Sequence, residues 1–206
     1  AASSDYPLRD VYKRQLDNTG DENANITAAG LISLSAATGI GVAGAAGDLD
    51  IQGTVTGSTA SGGIYLTDAD AMSVNALTAT AGDVVLASGG AMTINGQLTA
   101  GNGNLSMTSG GLYTQNGDVT VSGTASLSSV GATLATTADM QAASLSLDAG
   151  SGAFTMNDGS SLTTTGGAMS LTAGDDVLLS HLTTATAVTV TSASGAIFDN
   201  TGDENA

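Results

Sequence analysis

Apolar residues recur along this chain in short alternating groups, with Gly, Ser, Ala, Asn or Asp between them. Alternation of apolar and polar residues over a few positions, bounded by turn-forming residues, is typical of short β-strands. The stretch from residue 82 to residue 101 therefore predicts three short strands joined by three turns; its apolar groups are Val84 with Leu86, Met92 with Ile94, and Leu98. The stretch from residue 104 to residue 123 repeats this plan with Leu105 and Met107, Leu112, and Val119 and Val121.

Equivalent apolar pairs mark the first strand of successive coils, a coil being one circuit of about twenty residues. The pairs are Ile32/Leu34, Leu49/Ile51, Ile64/Leu66, Val84/Leu86, Leu105/Met107, Ala125/Leu127, Leu145/Leu147, Met169/Leu171 and Val188/Val190. Between Ile64 and Leu145 the steps are 20, 21, 20 and 20, and elsewhere they run from 15 to 24. Such a repeat predicts that each strand pairs in parallel with its equivalents in the adjacent coils, about 4.8 Å away. The expected fold class is therefore all-β, a right-handed parallel β-helix (solenoid) of about nine coils of roughly 20 residues.

Four asparagines occupy one recurrent position, at the close of the second apolar group of a coil. Asn75, Asn95, Asn116 and Asn157 follow one another at steps of 20, 21 and 41, so the last step spans two coils, with Thr136 or Thr137 in the gap. Asparagine at a corner can adopt the left-handed conformation and bond its amide to the asparagine above. We expect these four residues to form a structural ladder; the alternative is that they are ordinary turn asparagines that do not stack.

An identical octamer, DNTGDENA, occurs at positions 17–24 and again at positions 199–206, a displacement of 182 (199 minus 17). Identity over the whole octamer predicts that a large unit of that length is repeated in tandem, with positions 16–206 forming a β-helix segment of one such unit. The expected partners are neighbouring repeat units of the same chain, and the same surfaces offer end-to-end self-association between chains.

Residues 1–15 share nothing with the repeats and contain Pro7, the single proline. Their sequence lacks the apolar core of a secretory signal and ends in a phrase that resembles a translated sequencing adaptor. We expect a non-native or disordered leader; the alternative is a genuine N-terminal cap.

Charge is distributed unevenly along the chain. The three basic residues, Arg9, Lys13 and Arg14, all precede Leu16, whereas of the 19 acidic residues only Asp5 and Asp10 do so. A body with this balance repels nucleic acid and anionic lipid, so neither is an expected partner. No run approaches the ~18 consecutive apolar residues of a membrane span, so membrane insertion is not expected.

Several phrases of the chain resemble the repeats of large bacterial exoproteins and adhesins of the filamentous-haemagglutinin type. They are GDVVLASGGAMTING at 82–96, LSLDAGSGAFTM at 145–156, MSLTAGDDVLL at 169–179 and VTVTSASGAI at 188–197. The likeness covers the body from about residue 16 onward. It implies a right-handed β-helical stalk, export across an outer membrane, and a secreted or cell-surface protein that contacts a glycan or protein of a host or neighbouring cell.

Enzymes also use β-helices, and paired carboxylates are the requirement for a polysaccharide hydrolase. The pairs Asp48/Asp50, Asp68/Asp70 and Asp175/Asp176 are candidates for that alternative, although no aromatic platform for sugar rings accompanies them. Ser180 and His181 do not suggest a triad, because adjacent strand residues point to opposite faces. We expect a structural, adhesive stalk without catalytic residues.

No cofactor, and no metal ligand set, is expected from these motifs. The octamer contains carboxylate and amide oxygens around a glycine but lacks the spacing of a calcium-binding loop, so a connection between units is favoured and calcium remains the alternative. The Thr-x-Thr pairs at 54/56, 163/165 and 189/191 vary in spacing, so we expect no flat ice-binding array and attribute them to strand propensity.

Overall fold

A computed structural model describes residues 24–44 and 47–202 of the chain, and these residues form strands and turns with no helix. All pairings between strands are parallel, and together they build an all-β solenoid of about eight coils of about 20 residues. Within the described ranges there is no helix long and apolar enough to cross a membrane. The leader at residues 1–15, residues 17–23 of the first octamer and residues 203–206 of the second lie outside these ranges. The expected handedness stays a prediction.

Each coil contributes one strand to each of three stacks. Stack one contains β3 (Ile64–Asp68), β5 (Val84–Ser88), β8 (Leu105–Ser109), β11 (Thr124–Ser128), β14 (Ser144–Asp148), β17 (Met169–Ala173) and β20 (Val188–Ser192). Stack two contains β6 (Met92–Ile94), β9 (Tyr113–Gln115), β12 (Ala132–Leu134), β15 (Phe154–Met156), β18 (Val177–Leu179) and β21 (Ile197–Asp199). Stack three contains β7 (Leu98–Ala100), β10 (Val119–Val121), β13 (Asp139–Ala142), β16 (Ser161–Thr164) and β19 (His181–Thr183). Three longer strands, β1 (Ile26–Ala36), β2 (Leu49–Thr59) and β4 (Met72–Ala79), pass from one stack into another.

The core is made of inward-pointing columns, because alternate residues of each strand face the interior and the same positions align from coil to coil. In stack one the aligned residues from Ile64 to Met169 are all buried, as the sequence predicts. Leu112 differs from the expectation: it is 50% exposed and precedes the strand, whose buried residues are Tyr113 and Gln115. The strand begins one residue later than predicted, and a shift of one residue moves every side chain to the other face.

The first two coils also differ from the prediction. Ile32 pairs with Val55 in stack two, so it does not belong to the first-strand column. Leu49 does lie in stack one, but it aligns with Leu66 and not with Ile64, so the pair Leu49/Ile51 is two residues out of the predicted register. That column begins instead at Ile40, which bridges to Ile64. The solenoid therefore has about eight coils and not nine. The sequence overestimates the number because alternation with period two looks the same in every stack, so it does not show to which stack a strand belongs.

Corners between the stacks bring backbone atoms of adjacent coils very close together. A Cβ on Gly117 would lie 2.3 Å from the carbonyl oxygen of Gly96, although Gly117 does not have a positive φ. Buried hydroxyls satisfy corner carbonyls: Ser88 Oγ donates to Gly90 at 2.9 Å, and Ser109 Oγ donates to the same carbonyl at 2.9 Å. The small residues of the sequence thus permit close stacking at these corners.

Candidate functional site

The predicted asparagine ladder falls at the corner that follows stack two. Asn116 Nδ2 donates to Asn95 Oδ1 at 3.2 Å, which is a contact of the expected kind. Asn95 Nδ2 donates to Ser73 Oγ at 3.0 Å, not to Asn75. Asn157 occupies the same position by its backbone, donating its N–H to Leu134 at 2.9 Å. The structure thus brings one pair of the four side chains together.

Two details of that column differ from the expectation. Ala135 fills the gap, since its N–H donates to Gln115 at 2.8 Å as the N–H of Asn116 donates to Ile94 at 2.8 Å. None of the four asparagines has a positive φ; among the described non-glycine residues that conformation belongs to Thr137, at 77°. Where this corner contains a left-handed residue, that residue lies after the asparagine position in the chain. The asparagines therefore have ordinary backbone geometry. Asn200 extends the column, donating its N–H to Leu179 at 2.7 Å.

The three candidate carboxylate pairs lie at or near the ends of strands, and one member of each pair accepts a hydrogen bond from an adjacent coil. The hydroxyl of Thr67 donates to Asp48, and Gln52 Nε2 donates to Asp70 Oδ2 at 3.1 Å. Asp176 Oδ1 accepts the N–H of Ala196 at 2.8 Å. Because β2 pairs with β3, the first two pairs, Asp48/Asp50 and Asp68/Asp70, sit on adjacent coils.

Acids outside those pairs make the same kind of contact. Asp83 Oδ1 accepts the N–H of Asn104 at 2.8 Å, and Asp118 Oδ1 accepts the N–H of Asp139 at 3.2 Å. In each case the donor belongs to the next coil along the chain. Carboxylates thus link successive coils at several heights of the solenoid.

Asp68 is the acid whose surroundings are unusual. Its side chain is buried, with Oδ1 accepting the N–H of Asp70 at 2.9 Å and Oδ2 enclosed without a hydrogen-bond partner. Burial raises the pKa of Asp68 and the charge of Asp70 adds to that effect, while the backbone N–H groups of Asp70 and Gly53 act in the opposite direction. The same position in the next two coils is occupied by Ser88 and Ser109, which are paired in register with it along stack one. Asp68 is therefore a carboxyl placed where the solenoid otherwise accommodates a hydroxyl.

Ser180 and His181 do not form a catalytic arrangement. His181 is exposed at the start of β19, whereas Ser180 Oγ is enclosed and has no hydrogen-bond partner. Asp199 is engaged elsewhere: hydrogen bonds from Thr201 lower the pKa of Asp199, and the charge of His181 adds to that effect.

Two outward columns of threonine were not found from the sequence. In stack two, Thr93, Thr114, Thr133 and Thr155 are consecutive neighbours in register. In stack three, Thr78, Thr99 and Thr120 align in the same way. The Thr-x-Thr pairs within strands do not reveal these columns, because Thr54 of such a pair lies beside Ser73 and not beside another threonine. The columns could be predicted from the sequence by aligning the single polar residue that lies between the two inward positions of each three-residue strand.

A polar pair lies inside the solenoid at β9. Tyr113 Oη donates to Gln115 Oε1 at 3.1 Å, and Gln115 Nε2 donates to the carbonyl of Asp139 at 2.9 Å. Both side chains are fully buried, and burial raises the pKa of Tyr113. The equivalent residues of the preceding coil are Met92 and Ile94, so this pair is a local feature of the core.

The described part of the chain contains no group of three or more His, Cys, Asp or Glu side chains arranged to hold a metal ion. The calcium alternative concerned the octamer, of which residues 17–23 and 203–206 lie outside the described ranges. Comparison of the chain with protein-family models, with curated proteins and with solved structures finds no match.

Proposed function

We propose that the chain is a structural and adhesive stalk segment of a large secreted or surface-displayed protein, without catalytic activity. The observation that carries the proposal is the use of the acidic side chains: Asp83, Asp118 and Asp176 each accept a backbone N–H of the next coil. A carboxylate engaged in this way stabilises the stack of coils and is not poised as a free general base. The acids of the solenoid act as links along its length.

The outer surface supports the adhesive part of the proposal. Threonine hydroxyl and methyl groups are presented in register along stacks two and three, and Lys and Arg are absent after residue 15. A regular uncharged surface on an acidic body suits a glycan or protein on a neighbouring cell better than a nucleic acid, whose phosphates it would repel. Export to the cell surface belongs to the same proposal and rests on the resemblance of the repeats.

The alternative, a polysaccharide hydrolase, has one observation in its favour. Asp68 is a carboxyl with a raised pKa beside a second carboxyl, Asp70, and a raised pKa is typical of the general acid of a glycosidase. However, Asp68 is 2% exposed and its free oxygen is enclosed, so it does not reach a substrate on the surface. The stalk is the better supported of the two.

The deciding assay measures new reducing ends after incubation of the chain with acidic and neutral polysaccharides. The stalk proposal predicts no release above that given by the heat-denatured chain. Turnover that is lost in Asp68→Asn or Asp70→Asn would replace the stalk with the hydrolase. Binding of the labelled chain to cells, in the same samples, tests the adhesive part: saturable binding is expected, and its absence would limit the proposal to a mechanical role.

A further inference from the structure

The last described coil leaves the core open at one end. Val188 aligns with Met169, and Ile197 aligns with Val177, so both belong to inward columns. Met169 and Val177 are 1% and 0% exposed, whereas Val188 and Ile197 are 42% and 50% exposed. These half-exposed apolar side chains belong to columns that are otherwise buried, so they form a surface that a further coil would cover.

The backbone at this end is also incomplete. Inward residues at the start of a strand donate their N–H to the following coil, as Met169 does to Ala187 at 2.9 Å and Val177 does to Ala196 at 2.8 Å. The equivalent residues, Val188 and Ile197, have no following coil among residues 24–44 and 47–202 to which they could donate. Strand edges of this kind pair with another strand unless they are covered.

The sequence indicates what would cover them. The octamer that begins at Asp199, the last residue of β21, is identical to the octamer that precedes β1, so a second copy of the tandem unit would place the equivalents of Ile26 and Ile32 directly after the open coil. We propose that β20 and β21 are a docking surface for the first strands of another copy of this unit, which would continue stacks one and two. This inference rests on the proposed stalk and specifies how its units join.

Chain length sets a limit on that junction. Within the unit, consecutive aligned positions of stack two, such as Ile32 and Val55 or Val55 and Val74, are separated by about one coil length. In the repeated octamer, Asp199 corresponds to Asp17. The equivalent of Ile32 in a following unit would therefore lie only 15 residues after Asp199 (32 minus 17). The octamer within that step holds no apolar group. A junction of this length is too short, and too polar, to add a full strand to stack three. We therefore expect β20 and β21 to be covered and β19 to remain an edge.

Hydrogen exchange on a chain of two consecutive units tests this junction, with the single 206-residue chain as reference. In the first unit, amides of Val188–Ser192 and Ile197–Asp199 should exchange at least about tenfold more slowly than in the single chain, whereas those of His181–Thr183 should not change. Ile197→Asp in the first unit should remove the added protection. Leu112→Asp is the matched control, because Leu112 is also 50% exposed but lies on the side of the solenoid.

Protection of β8 in each variant shows that the solenoid remains folded. Equal exchange of β20 and β21 in the one-unit and two-unit chains would overturn the docking surface. The docking surface would also be overturned if Leu112→Asp removed the added protection and Ile197→Asp left it unchanged. Neither result would affect the reducing-end assay, so failure of this inference is distinguishable from failure of the proposed function.

Discussion

At the residue scale, polar side chains of this protein act mainly between coils. Asn116 contacts Asn95, Asp176 contacts Ala196, and Ser109 contacts Gly90, in each case about one coil away. Each such hydrogen bond contributes about 1 kcal/mol to the free energy of unfolding, and less where solvent competes for the donor. Because the same kind of contact is repeated along the stack, these small contributions to the free energy of unfolding add up.

The asparagine pair allows one such contact to be measured. Asn95→Ala removes the acceptor of Asn116 and the donor to Ser73, and we expect it to lower the free energy of unfolding by about 1 kcal/mol. Asn75→Ala serves as the control, since Asn75 occupies the same corner but Asn95 donates to Ser73 and not to it. Equal stabilities of the two variants in urea unfolding would reduce the ladder to turn chemistry.

Asp68 gives a prediction about pH. Because burial raises its pKa in the folded protein above the ordinary value of 3.8, the folded state holds the proton more tightly than the unfolded chain does. Stability from this group is present at low pH and is lost as the pH rises through the folded-state pKa. Asp68→Ser, which copies Ser88 and Ser109, should therefore raise the free energy of unfolding by about 1 kcal/mol at neutral pH.

The gain should shrink when the same urea titration is done at acidic pH, where Asp68 is protonated. Asp70→Ser is the control, because the carboxylate of Asp70 has a donor in Gln52 and should give no such gain. A gain in Asp68→Ser that does not change with pH would show that the buried charge is not its cause.

At the element scale, three short strands and three corners form a coil, and the corners set the sequence requirements. The inward pairs from Ile64 onward were predictable because period-two alternation and regular spacing coincide there. The paths of β1 and β2 were not, since each strand runs on through a corner that is marked only by a single glycine, Gly30 or Gly53, and so looks like a strand of one stack. Asp68 is expected from its sequence position to be a solvated acid at a strand end, but it continues the inward alternation of Ile64 and Leu66 by two residues and is therefore buried.

Corner glycines should tolerate substitution only where the neighbouring coil leaves room. Gly117→Ala places a Cβ 2.3 Å from the backbone oxygen of Gly96, so we expect a loss of about 2 kcal/mol in the free energy of unfolding. Gly166→Ala is the matched control, since nothing lies within 4 Å of a Cβ there and its φ is not positive. Thermal or urea unfolding of both variants tests the close approach; equal effects would contradict it.

The buried pair in β9 should behave as a unit. Gln115→Ile alone leaves the hydroxyl of Tyr113 without its partner in the core, which should cost about 2 kcal/mol of unfolding free energy. Tyr113→Met combined with Gln115→Ile copies Met92 and Ile94 of the preceding coil and should recover most of that loss. A double-mutant cycle in urea measures the coupling, and additive losses would show that the two side chains act independently.

At the scale of the whole molecule, the coils form one stack whose sides are mostly polar, with isolated exposed apolar residues such as Leu112, and whose last described coil is apolar at its open end. About eight coils at a spacing of about 4.8 Å give a length of roughly 40 Å per unit. A stalk built from such units should lengthen without thickening, because each added coil pairs only with its neighbours. This property separates a continuous rod from domains joined by linkers.

Small-angle X-ray scattering of chains with one, two and four units tests the stalk most directly. The account predicts a constant cross-section and a maximum dimension that increases by roughly 40 Å with each added unit. A cross-section that grows with unit number, or the scattering of separate particles on flexible tethers, would contradict it.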